Sequence, residues 1–273
     1  MRHLSRATGQ QLLLILLTLV SLYPLWFIIQ TALKTQQDYT TNPTGLPAAP
    51  TLQNFINVFT VMPFGRWTLN SVLVVVVSVG AATLISIFAA YAVAFGRFVG
   101  KNAFFNTNIA LMALPPVALV VPLFTVMVQA GLIDTLPSVM LVYTGLLIPF
   151  SVFFLVNFFR ELPSELIEAA TIDGASHTRI LLRIVMPLSV ATTFTLVIVN
   201  TIWVWNELLF ALVFLQDNGQ RTVMAGLALF QGRFATNEPL MMAGAFLSIL
   251  PLLVLYLASQ RFFVRGMTAG IGK

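Results

Sequence analysis

The sequence predicts an all-α integral membrane protein with six transmembrane helices, and three observations lead there. Apolar residues make up 58% of the 273-residue chain and charged residues only 8%. A soluble domain carries about 25% charged residues, so this chain lacks the polar surface to face water on all sides. Five long windows contain no Asp, Glu, Lys or Arg: 7–33, 67–96, 102–133, 135–159 and 239–260. A sixth, 184–216, is interrupted only by Glu207. The basic residues, finally, flank these windows instead of gathering into one patch, which excludes nucleic acid as the reason for the net charge of +5.

A helix needs roughly 20 mostly apolar residues to cross a bilayer. The windows therefore place spans at about 11–31, 68–95, 105–128, 139–159, 187–213 and 239–260, within one transmembrane domain covering 1–273. Arg2, His3 and Arg6 precede the first span, as they would a signal peptide. The charge-free run is long and no small-residue cleavage site follows it cleanly, so an uncleaved helix is expected. Pro24, Pro115, Pro116, Pro122, Pro149 and Pro251 fall within spans. Proline is common in membrane helices; kinked helices also suit a transport path, provided that the bundle supplies partners for freed carbonyls. In span two, Ser78, Gly80 and Ser86 are small enough for close helix packing.

Orientation follows from lysine and arginine. With a cytoplasmic N-terminus, the inner segments hold Arg2, Arg6, Arg97, Lys101, Arg160, Arg179, Arg183, Arg261, Arg265 and Lys273, and the outer ones hold Lys34, Arg66, Arg221 and Arg233. Ten against four puts both termini in the cytoplasm, with 261–273 as a tail. The outer segments are then a long loop at 34–66, rich in Thr, Pro and Asn, a short turn at 129–138 and a second long loop at 214–238. No inverted repeat of the kind that marks many secondary transporters is visible.

Catalysis finds little support. The chain has no cysteine, which removes disulfides, thiolate metal sites and cysteine nucleophiles. Its two histidines, His3 and His177, are too few and too far apart for a metal cluster. No Gly-rich phosphate loop is present. The chain is thus expected to be no enzyme and to bind no cofactor of its own.

The cytoplasmic segment 160–186 is the most informative. It holds four of the nine acidic residues, Glu161, Glu165, Glu168 and Asp173, and reads as two short helices. Pro163 and Ser164 open the first, with Glu165 at its positive end. Asp173-Gly174 closes it, since glycine readily takes the left-handed conformation. Ser176 can cap the second helix, and Pro187 lies where that helix meets span five. Leu166, Ala169, Ala170 and Asp173 share one face of the first helix. Such an elbow serves equally well as a cap on the bundle or as a knob for a soluble partner.

Glu168-Ala169-Ala170, then Gly174-Ala175, Ile184 and Pro187, resembles the EAA loop of bacterial binding-protein-dependent ABC importer permeases, with Met186 where that pattern usually has Leu. Asn70-Ser71, Trp205-Asn206-Glu207, Met242-Ala243-Gly244 and the closing 260–270 stretch resemble the carbohydrate branch, in particular the smaller permease subunit of maltose-type transporters. The resemblance implies a type I importer core of the later five spans with the first helix outside it. It implies that the elbow sits in a cleft of an ATP-binding cassette subunit and couples its motion to alternating access. The implied partners are a second permease, an ATPase dimer that binds ATP and Mg, and an extracytoplasmic sugar-binding protein. Membrane lipid surrounds the chain, and the implied location is a bacterial or archaeal cytoplasmic membrane.

Glu207 is the lone acidic residue deep in a span. A charge there costs roughly 2.5–3.5 kcal/mol on insertion scales, so it should face a polar cavity or a partner. Asn200, Trp203, Trp205 and Asn206 surround it in sequence. Carboxylate, amide and indole groups together suit a sugar, whose hydroxyls need polar partners and whose apolar faces stack on rings. The same group also fits an interfacial aromatic cluster in which Glu207 braces the second permease. An ion-coupled secondary transporter using Glu207 is the functional alternative; it has no need of an ATPase-docking elbow.

Overall fold

In lipid the backbone must satisfy its own hydrogen bonds, which leaves the apolar windows little choice but helix. The computed structural model describes residues 2–233 and 237–269, and side chains over 10–229 and 237–260. The described residues are helical and irregular, with no strand among them. Four helices are long and apolar enough to cross a bilayer: Gln10–Ala32 within α1 (Arg2–Ala32), α4 (Phe64–Phe95), α7 (Leu136–Glu161) and Glu238–Gln260 within α14 (Glu238–Ala269). Two bent pairs supply the rest. α5 (Lys101–Met112) meets α6 (Pro116–Gln129) at 102°, and the His177–Leu188 segment meets α11 (Val190–Asn206) at 77°.

The first bend differs from the continuous helix expected over 105–128. Two consecutive prolines explain it. Neither can donate an N–H, and a residue before proline is pushed out of the helical region. Pro115, which precedes Pro116, is accordingly extended at ψ 127°. Pro24, Pro122, Pro149 and Pro251, each single, stay inside their helices. The expected span 187–213 also differs: α11 ends at Asn206, and a separate helix α12 (Leu209–Phe214) follows. The tail expected at 261–273 is helical as far as Ala269; its side chains, and residues 270–273 altogether, lie outside the described residues.

The chain forms two compact units. One comprises residues 1–66 and 226–251. In it, the α1 side chains from Gln10 to Trp26 are exposed, as expected of a lipid-facing helix. Its end is packed: Thr31, Ala32 and Lys34 have no exposure. Segment 34–63 holds the short helices α2 (Gln36–Thr41) and α3 (Gln53–Val61) and is organised by side chains that bond to backbone. Lys34 Nζ donates to the carbonyls of Asn42 (2.6 Å) and Pro43 (3.3 Å). Asp38 Oδ2 accepts from Ala48 N–H at 3.0 Å. Asn54 Nδ2 donates to the carbonyls of Ala32 (2.8 Å) and Lys34 (2.7 Å), supplying partners that the end of α1 lacks. Gly244 packs closely: a Cβ there would lie 2.9 Å from Leu227 Cδ2, the far end of a side chain that would have to turn aside, and 3.9 Å from Val58 Cγ2.

The other unit comprises residues 67–225 and 252–273, with α7 at its centre. One core joins Val79, Val142, Tyr143 and Phe210; a second joins Tyr91, Leu155, Phe159 and Ile180. Ser78 and Ser86 are fully buried, and Ser78 Oγ donates to the Met140 carbonyl at 3.2 Å. Gly80 departs from the expectation of close packing, because it faces outward with nothing within 4 Å of a Cβ. At the start of α4, Trp67 Nε1 donates to the Asn218 carbonyl (2.7 Å), Asn70 Nδ2 to those of Gly219 and Arg221 (2.9 Å each), and Ser71 Oγ accepts from Val223 N–H (2.9 Å). Asp134 Oδ1 accepts the N–H groups of Gln216 (2.8 Å) and Asp217 (2.7 Å). Four side chains, Trp67, Asn70, Ser71 and Asp134, thereby fix segment 216–223 against α4 and the 129–138 turn.

Candidate functional site

The elbow is built almost entirely by backbone geometry. α8 (Ser164–Ile172) starts after Pro163, with Glu165 in its first turn. It ends in a Schellman closure: Gly174 N–H donates to the Thr171 carbonyl (3.0 Å) and Ala175 N–H to that of Ala170 (2.9 Å). That closure needs a left-handed residue, and Gly174 has φ 76° with open space around it. Ser176 Oγ then accepts from Arg179 N–H at 3.4 Å and caps α9 (His177–Ile180). A π-helical turn over Leu181–Val185 leads into α10 (Met186–Leu188), near whose start Pro187 lies exposed. The chain bends at fully buried Ser189, whose N–H donates to the carbonyls of Val185 (2.9 Å) and Met186 (3.1 Å).

α8 has two faces. Ile167, Ala170, Ala175 and Ile184 are half-buried and pack against the core of Tyr91, Leu155 and Phe159. Glu165, Glu168, Ala169 and Asp173 are exposed, as are Leu166 at 45% and Ile172 at 86%. The elbow is therefore seated on the bundle by one side and offers carboxylates mixed with bare apolar side chains on the other. His177 sits at the first turn of α9, its Nδ1 3.3 Å from the Tyr91 hydroxyl, which ties the elbow to α4.

The second candidate surface is a cavity of about 610 Å³ beside the α5–α6 bend, lined by Met112, Leu114 and Pro116 with Gly145, Asn200 and Trp203. Asn200 is 1% exposed and donates from Nδ2 to Ser151 Oγ at 3.0 Å, joining α11 to α7. Trp203 meets Tyr143 edge to face, with ring centroids 5.9 Å apart, and Tyr143 meets Phe210 likewise at 6.4 Å.

Of the five residues expected along a substrate path, the structure brings Asn200 and Trp203 into this cavity. Trp205 is buried and is not among its lining residues. Asn206 is exposed, with Nδ2 donating to the Ile202 carbonyl of its own helix at 2.7 Å. Glu207 is engaged with the protein itself. Its Oε1 accepts from Leu209 N–H at 2.8 Å, and both oxygens accept from Phe210 N–H at 3.2 Å. Its Oε2 also accepts from Ala211 N–H at 3.4 Å and from the Tyr143 hydroxyl. The carboxylate thus covers the free N–H groups at the start of α12, where a negative charge also suits the helix dipole.

Tyr143 and Ser151 escaped the sequence reading. Tyr143 is the lone tyrosine of α7. Its hydroxyl needs a partner in lipid, and the lone intramembrane carboxylate was the obvious one; that chemical match was the available signal.

Comparison with known proteins agrees with this architecture. Residues 82–269 match the family described as binding-protein-dependent transport system inner membrane component. The chain is 36% identical over 250 residues to the sulfoquinovosyl glycerol transport system permease protein SmoH of Agrobacterium fabrum, covering 91% of this chain and 88% of that one. It is 33% identical over 251 residues to the melibiose/raffinose/stachyose import permease protein MelC of Bacillus subtilis, covering 92% and 91%. Its fold matches a chain in the crystal structure of a bacterial ABC transporter involved in the import of the acidic polysaccharide alginate, with a TM-score of 0.81, 23% identity and coverage of 94% and 96%. With a family match over more than half its length and relatives aligned almost end to end, the chain belongs to the inner-membrane permease components of binding-protein-dependent transport systems.

Proposed function

We propose that this chain is one of two membrane-spanning permeases in an ATP-driven importer that carries a sugar or oligosaccharide handed over by an extracytoplasmic binding protein. The observation that carries this reading is the elbow. Its seated face gives it purchase on the bundle, and its exposed face, with Glu165, Glu168, Ala169, Leu166, Ile172 and Asp173, fits a protein cleft better than water alone. In this reading the cleft belongs to one subunit of an ATPase dimer that holds ATP and Mg. Both termini and the elbow lie in the cytoplasm. Bending about Gly174 and Ser189 passes ATPase motion to α11, on which Asn200 and Trp203 line the path. Trp203 offers a stacking surface for a sugar face and Asn200 an amide. Glu207 serves the path through Tyr143, and Trp205 and Asn206 flank it. The sugar-import names of the relatives support the substrate class. Nothing among those relatives favours the ion-coupled alternative.

The test is purification of the tagged chain from its native membrane, followed by reconstitution into vesicles. An ATP-binding cassette subunit and a second permease should come with it, and sugar-loaded binding protein should stimulate ATP hydrolysis. A chain that purifies alone and takes up sugar on an ion gradient without ATP overturns the proposal.

A further inference from the structure

α3 divides into three sectors around its axis. At 100° per residue, Asn54, Val58 and the half-buried Phe55 fall together and face the protein. Gln53, Asn57 and Thr60 form a polar sector, in which Gln53 Nε2 donates to Asn57 Oδ1 at 2.9 Å. Leu52, Ile56 and Phe59 form the third sector, and they are 66%, 55% and 57% exposed. With Phe55 and Thr60 they border a surface groove of about 480 Å³. A short helix facing only water on its free side would not place three large apolar side chains there.

The depth of α3 says what covers them. Asn54 bonds directly to the carbonyls of Ala32 and Lys34, so α3 is pinned to the end of α1, whose other side chains from Gln10 to Trp26 are bare and apolar in the main. Phe55 packs edge to face on Phe246 with centroids 6.0 Å apart. Phe246 lies eight residues into α14, about 12 Å along the helix from its start at Glu238 at 1.5 Å per residue. The protein surface at α3 therefore sits at the membrane boundary and not beyond it. Segment 39–65 contains no charged residue, which fits the same depth.

We infer that α3 is an interfacial helix, lying in the leaflet surface at the end of α1 with Leu52, Ile56 and Phe59 inserted among lipid acyl chains and Gln53, Asn57 and Thr60 at headgroup level. It anchors that end of the first span at a fixed depth. This does not rest on the proposed substrate or on the ATPase partner.

The chain has no cysteine, so a single introduced cysteine is its one thiol and can be labelled before the other subunits are added. Spin labels at 52, 56 and 59, and at 53, 57 and 60, are placed one at a time in the assembled transporter in bilayer nanodiscs. Collision with oxygen, which concentrates in lipid, should exceed collision with a water-soluble nickel chelate at 52, 56 and 59, and the order should reverse at 53, 57 and 60. Chelate access at 52, 56 and 59 equal to that at 53, 57 and 60 overturns the inference in favour of an aqueous loop. Protection of 52, 56 and 59 from both reagents overturns it in favour of a protein partner on that face. Brominated-lipid quenching of an Ile56→Trp variant gives an independent readout: strong quenching is expected, and none overturns the assignment.

Discussion

The chain interrupts its helices at Gly174 and again at Glu207, and it does so by opposite means. At Gly174 the backbone closes α8 on itself through bonds from Gly174 and Ala175 back to Thr171 and Ala170. The one side-chain requirement is the lack of a side chain at φ 76°. At Glu207 the backbone is left open. A carboxylate covers the N–H groups of Leu209, Phe210 and Ala211, and a hydroxyl 64 residues upstream holds the carboxylate. The first break is local and faces outward, where a partner can load it. The second is tertiary: half-buried Glu207 accepts from Tyr143, whose ring packs on Trp203 of the cavity lining. The elbow is closed by its own backbone, and the second break is held by a side chain from another helix.

The sharpest way to break this comparison is Glu207→Ala. It removes the acceptor for three backbone donors and a phenol at once. An unsatisfied buried donor costs about 1–3 kcal/mol, although pairs in membranes average nearer 0.6 kcal/mol, so a combined loss of about 2–4 kcal/mol is expected. The purified complex should melt lower and take up substrate at least tenfold more slowly, with all subunits still assembled. An unchanged melting point would show that α12 does not depend on this cap.

Gly174→Val comes next. Nothing lies within 4 Å of the new Cβ, so the cost is conformational alone, about 1–2 kcal/mol for a left-handed residue. The elbow angle should shift and ATP hydrolysis should run without matching uptake. Gly174→Asn should recover most of the coupling, because asparagine visits this conformation readily. Equal ratios of ATP hydrolysed to substrate imported in wild type and the valine variant would remove the elbow from transmission.

Tyr143→Phe is the mildest. The ring keeps its contacts with Trp203 and Phe210 and loses one hydrogen bond, worth about 1 kcal/mol. In a double-mutant cycle with Glu207→Ala the two losses should fall short of their sum, because both remove the same bond. Full additivity in melting measurements would mean that the phenol and the carboxylate act independently.

Much of this was legible beforehand for a physical reason. Long uncharged windows become helices because lipid offers the backbone no other partner. Gly174, Ser176 and Pro163 mark their turns because their conformational preferences are intrinsic. The prolines at 115 and 116 were equally visible, but as a kink in a span and not as a 102° turn between two helices. Asn70 and Ser71 could be picked out by resemblance, yet their bonds to the Gly219, Arg221 and Val223 backbone reach about 150 positions along the chain. Gly80 is small enough for close packing and yet faces outward, since a small residue says that neighbours can approach, not that they do.

By itself the sequence determined that the long uncharged windows are helical, where the elbow turns and that Glu207 must find a partner, because each of these follows from the residue's own chemistry in lipid or in a turn. Tertiary structure alone decided which partner. Glu207 could have met a sugar, a second permease or its own chain with equal chemical merit. It meets Tyr143 and the start of α12 because the packing of α7 on α11 carries that hydroxyl to that carboxylate, and no local pattern encodes a distance between two helices.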